Sequence, residues 1–141
     1  MIYTSITSEA FLENNISKDI HQMNEHIRSL LINAPPSHEI PFDVLQDIRR
    51  KGGGLLAFQT YSDRAENKIV EYDNRKVTIR IFNQNNPKFI YLHIHGGGHC
   101  IGAADMQDQS LEKISKDLNC VVVSVEYRLA PNNPYPAAPD D

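Results

Sequence analysis

A chain of 141 residues has the length of one ordinary domain, or of a piece of a larger protein, at roughly 150 residues per domain. Its 40% hydrophobic and 23% charged residues fit a packed globular protein and exclude a disordered, collagen-like or coiled-coil one. Fourteen Lys and Arg against eighteen Asp and Glu leave a formal charge of −4, which argues against a nucleic-acid or anionic-membrane surface.

The start, MIYTSITSEAFLENN, has no basic stretch followed by an apolar one, and the longest apolar runs fall far short of the ~20 residues that cross a bilayer. Cys100 and Cys120 are too few for a disulfide framework. The expectation is a cytoplasmic protein with free thiols and no membrane span. Thr7 and Ser8 are candidate caps for a short turn over Glu9 to Leu12. After Ser17, Ile20, Met23, Ile27, Leu30 and Leu31 recur at helical steps and predict an amphipathic helix that ends by Asn33, ahead of Pro35-Pro36. A further helix is expected from Pro41 to Lys51, with Phe42, Val44, Leu45 and Ile48 inward and Gly52 past its end. These stripes are expected to pack on a core.

From Lys68 the period becomes two. Strands at 67–73 and 76–83 flank Asp73-Asn74-Arg75, where Asn tolerates the left-handed backbone of a tight hairpin. Lys88 to Ile94 and Cys120 to Val125 are apolar on both faces, as suits strands covered by helices on each side, and a helix from about Asp105 to Asp117 lies between them. A right-handed crossover makes those two strands parallel. The fold class is therefore α/β, with residues 1–66 a helical segment and connection, and 67–141 the strands of a core.

Two segments carry chemistry. His95-Gly96-Gly97-Gly98-His99 sits between a buried strand and the next helix, where glycines let the main chain bend and leave its N–H groups free to face an oxygen anion. The alternative is a simple strand-to-helix turn, as Gly52-Gly53-Gly54 illustrates. The second segment is Val123-Ser124-Val125-Glu126-Tyr127-Arg128-Leu129-Ala130-Pro131-Asn132-Asn133-Pro134-Tyr135-Pro136-Ala137-Ala138.

In this order and spacing the pair resembles the hormone-sensitive-lipase branch of the α/β-hydrolases, whose members show H-G-G-G and then D-Y-R-L-A-P-E-x-P-F-P-A-A. The resemblance implies the N-terminal half of an α/β-hydrolase fold, a cap region at 1–51, a sheet of order 1-2-4-3, and hydrolysis of small carboxylic esters without a cofactor. It assigns Gly97 and Gly98 as oxyanion donors, a third donor to the residue after the nucleophile, and His95 and Gly96 to positioning the loop. Tyr127 and Arg128 would brace it from behind. Glu126 replaces the usual Asp and is expected to pair with Arg128, Asn132 and Asn133 replace the Glu and its neighbour, and His99 stands where an aromatic residue is common.

Such enzymes carry their serine in G-x-S-x-G, followed by an acid and a histidine. None of Ser5, Ser8, Ser17, Ser29, Ser37, Ser62, Ser110, Ser115 or Ser124 lies in that frame, so the triad is expected to be absent and the chain to be truncated relative to the family. A catalytically silent fragment or binding module is the alternative. A histidine-ligated metal hydrolase built on His93, His95 and His99 is a further one, although the sequence offers no completing carboxylate in the H-x-H-x-D-H pattern. No phosphate-binding G-K-[ST] or G-x-G-x-x-G occurs.

Overall fold

The computed structural model describes residues 8–12, 15–51 and 60–141; Thr7 and the Gly52-Gly53-Gly54 run lie outside them. The chain forms two compact units, 1–36 and 37–141.

In the first unit a single 3₁₀ turn, Ser8–Phe11, precedes helix α1, Lys18–Leu31. Ser17 caps α1 from an extended backbone, its side chain accepting from the Ile20 N–H at 3.4 Å, and so satisfies one of the orphan donors of the first turn. The apolar stripe forms, but it is not buried: Ile20, Met23, Leu30 and Leu31 are 40–63% exposed and Ile27 is half-buried. Periodicity specified the helix, while what covers its face lies outside what a helical period can encode.

The second unit begins with α2, Phe42–Arg50, for which Pro41 is the N-cap rather than a residue of the first turn. Leu45 and Ile48 are half-buried as expected, yet Phe42 and Val44 are exposed. The packed face is centred on Leu45, Gln46 and Arg49; at 100° per residue Val44 falls off its edge and Phe42 overhangs the first turn.

Strands β1, Ala65–Tyr72, and β2, Arg75–Phe82, form the predicted hairpin, within two residues of the expected bounds. Asp73 and Asn74 both take positive φ (48° and 60°), the backbone that matches a two-residue turn to the twist of its strands. Strand β3, Ile90–Ile94, helix α3, Asp108–Leu118, and strand β4, Val121–Glu126, make the crossover unit, with β3 and β4 parallel from Ile90↔Val121 to Ile94↔Val125. β2 pairs with β4 antiparallel, and the sheet order is β1-β2-β4-β3. Asn119 ends α3 in the left-handed conformation (φ 49°, ψ 56°), returning N–H bonds to Lys116 and Ser115 carbonyls. The short α4, Ala137–Asp140, follows the proline-rich connection.

The core lies between the sheet and α3: Phe82, Leu111, Cys120 and Val122 are buried, with Ala65 and Ile114 against them. Ser115 is buried there without polar cost, since its Oγ donates toward the Cys120 and Phe82 carbonyls (2.8 and 3.3 Å) and accepts from Gln84 Nε2 at 3.0 Å. At the start of α3 the fully buried Asp108 carboxylate takes both the Nε and a terminal nitrogen of Arg80 and accepts the Ser62 N–H at 2.8 Å. The expectation that β3 and β4 are covered on both faces is met on one face only. On the other, Ile90, Leu92 and Ile94 are 61–69% exposed, beside half-buried Val121, Val123 and Val125. The apolar character of both faces was visible in the sequence; among the described residues α3 packs on one of them, and the other is bordered by α4.

Candidate active site

The glycine loop begins where β3 ends. His95 is buried; its Nδ1 lies 3.0 Å from the Gly96 carbonyl, and because a carbonyl only accepts, Nδ1 carries the proton. The imidazole stacks on the Tyr127 ring at a centroid distance of 4.1 Å and an interplanar angle of 10°, and the Tyr127 hydroxyl donates to the His95 carbonyl at 2.6 Å. Both ring and main chain of His95 are thereby held from β4's end. Burial, then the Glu126 charge, raises the Tyr127 hydroxyl above its ordinary pKa, so it stays a donor.

Gly97 and Gly98 take φ of +134° and +62°, and His99 follows at +59°. Gly97 has no substitute: a Cβ there would stand 1.8 Å from the Ile101 carbonyl oxygen, whereas a Cβ on Gly98 would meet nothing within 4 Å. The Gly97 carbonyl accepts the Cys100 and Ile101 N–H groups at 3.2 and 3.1 Å, closing the turn. Among the described residues, no hydrogen bond engages the Gly97 or Gly98 N–H. Beside Gly98 lies a cavity of about 190 Å³ bounded mainly by Cys100, Ala130, Tyr135, Ala138 and Pro139. A second, of about 310 Å³, opens between His99, Tyr127 and the exposed side of Leu92, Ile94 and Val125.

The bracing residues depart from expectation in one respect. Arg128 does not pair with Glu126; its Nε and a terminal nitrogen contact both oxygens of Asp141 at 2.6–2.9 Å, and its N–H donates to the same carboxylate at 2.8 Å. The planar guanidinium fits that bidentate arrangement. The Arg128 hydrogen bond holds Asp141 below, and Asp141 holds Arg128 above, their ordinary pKa values. Glu126 instead accepts the Ala104 N–H and lies 4.0 Å from Arg50. β4 ends at Glu126, so Arg128 lies beyond the strand and turns with the connection toward Asp141, while Glu126 faces the approach to α3.

The three histidines do not form a metal site. His93 Nδ1 lies 2.8 Å from the buried Ser124 hydroxyl, His95 is stacked on Tyr127, and among the described residues no three His, Cys, Asp or Glu side chains gather to hold an ion. Burial lowers the His93 pKa. Both cysteines are free, Cys120 within the core and Cys100 half-buried beside the glycine loop.

Two contributors escaped sequence reasoning. Gln46 of α2 meets Gly102 in a reciprocal pair, Nε2 donating to the carbonyl at 2.7 Å and Oε1 accepting the N–H at 2.9 Å. Asp141 was not connected with Arg128. A glycine a few residues beyond the loop was the available signal for Gly102; nothing distinguished Gln46 from any polar helix residue.

Comparisons with known proteins bear on the fold. The family profile described as alpha/beta hydrolase fold covers residues 91–141, from within β3 through the glycine loop to the final residue. The chain has the fold of the N-terminal part of an α/β-hydrolase. It is 37% identical over 84 residues to carboxylesterase NlhH of Mycobacterium tuberculosis, covering 55% of this chain and 26% of that protein. It is 30% identical over 98 residues to an arylesterase of Saccharolobus solfataricus, covering 66% and 32%. A match to 2-hydroxyisoflavanone dehydratase of Glycine max, 36% identical over 80 residues, covers 52% and 25%. The fold of an esterase/lipase from an uncultured bacterium superposes with a TM-score of 0.64 at 24% identity, covering 89% of this chain and 41% of that one. The chain spans between a quarter and a third of the length of these curated relatives. No described helix is long and apolar enough to cross a membrane.

Proposed function

We propose that this chain supplies the oxyanion-binding part of a serine carboxylic ester hydrolase, working with a nucleophile-bearing segment that its own sequence does not contain. The observation that carries the reading is the Gly97-Gly98 turn at the carboxyl end of β3, with both N–H groups unengaged beside an apolar cavity. In such a reaction the serine oxygen attacks the ester carbonyl, the carbonyl oxygen gains the negative charge, and the alcohol leaves to give an acyl-enzyme that water then hydrolyses. Gly97 and Gly98 donate to that oxygen, and the third donor is the N–H that follows the nucleophile. His95 and Gly96 fix the loop. The substrate is a small carboxylic ester, no cofactor enters, and the two free thiols agree with a cytoplasmic setting. In this reading residues 1–66 are the cap-like segment and 67–141 the first part of the catalytic core.

A second reading, a silent or binding module of the same fold, is favoured by one observation: no serine of the sequence stands in G-x-S-x-G. One experiment separates the two. Residues 1–141 are produced alone and together with a separate segment of an esterase relative that carries G-x-S-x-G, the acid and the histidine, and p-nitrophenyl ester hydrolysis is followed with and without a serine-directed phosphonate. Phosphonate-sensitive turnover in the mixture, above that of either part, is the expected result. A mixture that associates but stays silent supports the binding module, and phosphonate-sensitive turnover by residues 1–141 alone overturns both.

A further inference from the structure

We infer that Gln46, on α2, is a positioning residue of the glycine loop: its paired bonds to Gly102 set the conformation in which Gly97 and Gly98 present their N–H groups. The inference deepens the oxyanion reading and rests on it for its functional meaning, but its structural content stands independently. Gln46 and Gly102 are 56 residues apart, and their two bonds, at 2.7 and 2.9 Å, use both the N–H and the carbonyl of Gly102. A primary amide carries a donor and an acceptor side by side, so it can satisfy the N–H and the carbonyl of one residue at once, as a neighbouring antiparallel strand does.

Gly102 is buried, at φ +107°, and packs directly beneath the start of the loop: a Cβ there would lie 2.5 Å from the Gly96 carbonyl oxygen and 2.5 Å from His95 Nδ1. The next residue back, Ile101, places its carbonyl oxygen where a Gly97 Cβ would be, and its N–H on the Gly97 carbonyl. Residues 97–102 therefore form a closed loop lying against its own first residues. Tyr127 anchors one end through the His95 carbonyl, and Gln46 anchors the other. With Gln46 removed, Gly102 loses both partners and rotates about a backbone only glycine allows, and the shift is transmitted through Ile101 to Gly97.

The test is amide hydrogen exchange and chemical shift by NMR on the ¹⁵N-labelled 141-residue chain, comparing the parent with Gln46→Ala and Gln46→Glu. In Gln46→Ala, Gly102 should exchange about tenfold faster or more, and the Gly97 and Gly98 resonances should move or broaden, while Val122 and Phe82 in the core keep their protection. Gln46→Glu keeps the acceptor for the Gly102 N–H but sets a second acceptor against the Gly102 carbonyl, so Gly102 should exchange at a rate between the parent and Gln46→Ala, and the Gly97 and Gly98 resonances should move part of the way. Fast exchange at Gly102 with unmoved Gly97 and Gly98 resonances would overturn the inference, and so would no change at Gly102. If Gln46→Ala loses core protection as well, Gln46→Glu decides: unaltered Gly97 and Gly98 shifts together with an exposed Gly102 N–H refute the clamp. Because the readout needs no turnover, its failure is distinct from a failure of the ester-hydrolase reading, which the two-part assay reports.

Discussion

Two adjacent glycines of the loop, Gly97 and Gly98, face opposite constraints. Gly97 is closed to any side chain by the Ile101 carbonyl 1.8 Å from its would-be Cβ; Gly98 has open space and a φ of +62° that alanine adopts at a cost of about 1–2 kcal/mol. In the two-part assay, Gly97→Ala should therefore lower phosphonate-sensitive turnover by about 10²–10³-fold, the scale of a lost oxyanion donor. Gly98→Ala should keep most of the turnover and lose only stability. Equal effects of the two substitutions would remove the oxyanion assignment. His93 supplies a pH dependence. Burial holds its folded pKa below the ordinary 6.5, so its neutral form's contribution is complete above about pH 6.5 and is lost as the pH falls toward the folded value, where the folded state too takes up the proton. Thermal melts between pH 7 and pH 5 should show stability declining with acid, and His93→Asn should flatten that decline.

At the scale of elements, β2 and α3 are joined by more than apolar packing. The Asp108 carboxylate is fully buried, Arg80 is 11% exposed, and the guanidinium also reaches the Ser62 carbonyl and Asn67 Oδ1 at 3.2 and 3.0 Å. Hydrogen bonding to Asp108 raises the Arg80 pKa, so the guanidinium stays charged. Asp108→Ala strands the guanidinium and should destabilise the chain by about 3–5 kcal/mol in urea titration, whereas Arg80→Met with Asp108→Leu should recover much of that loss. This tie was illegible in the sequence, where its partners stand 28 residues apart in elements of different period. The β1–β2 hairpin and the parallel β3–β4 pair were legible, because alternation, a left-handed Asn and uniformly apolar runs are local signals. The glycine loop was legible for the same reason. Gln46 was not, because its function depends on where α2 lies, and a polar residue on a short helix carries no record of its partner.

For the whole molecule the governing feature is the open side of the sheet. β3 is an edge strand, and Ile90, Leu92 and Ile94 stand 61–69% exposed on a face continued by Val121, Val123 and Val125. Apolar surface in contact with water costs about 25 cal/mol per Å², and an unpaired flat edge invites another chain. Sedimentation of the 141-residue chain at rising concentration should show self-association, and Leu92→Lys should shift it to higher concentration without changing the far-UV spectrum. Concentration-independent monomers in the parent would refute this reading of the face.

The stacked His95 and Tyr127 rings have an optical consequence. The chain contains no tryptophan, so tyrosine dominates its near-ultraviolet spectrum. Tyr127 gives its hydroxyl proton to the carbonyl that begins the glycine loop, and burial holds its ionisation above 10. Its tyrosinate absorbance therefore appears late in an alkaline titration for as long as the loop is closed over it. Any substitution that loosens the loop lets that ring ionise earlier, and the absorbance of one phenol reports on the backbone of the glycine loop.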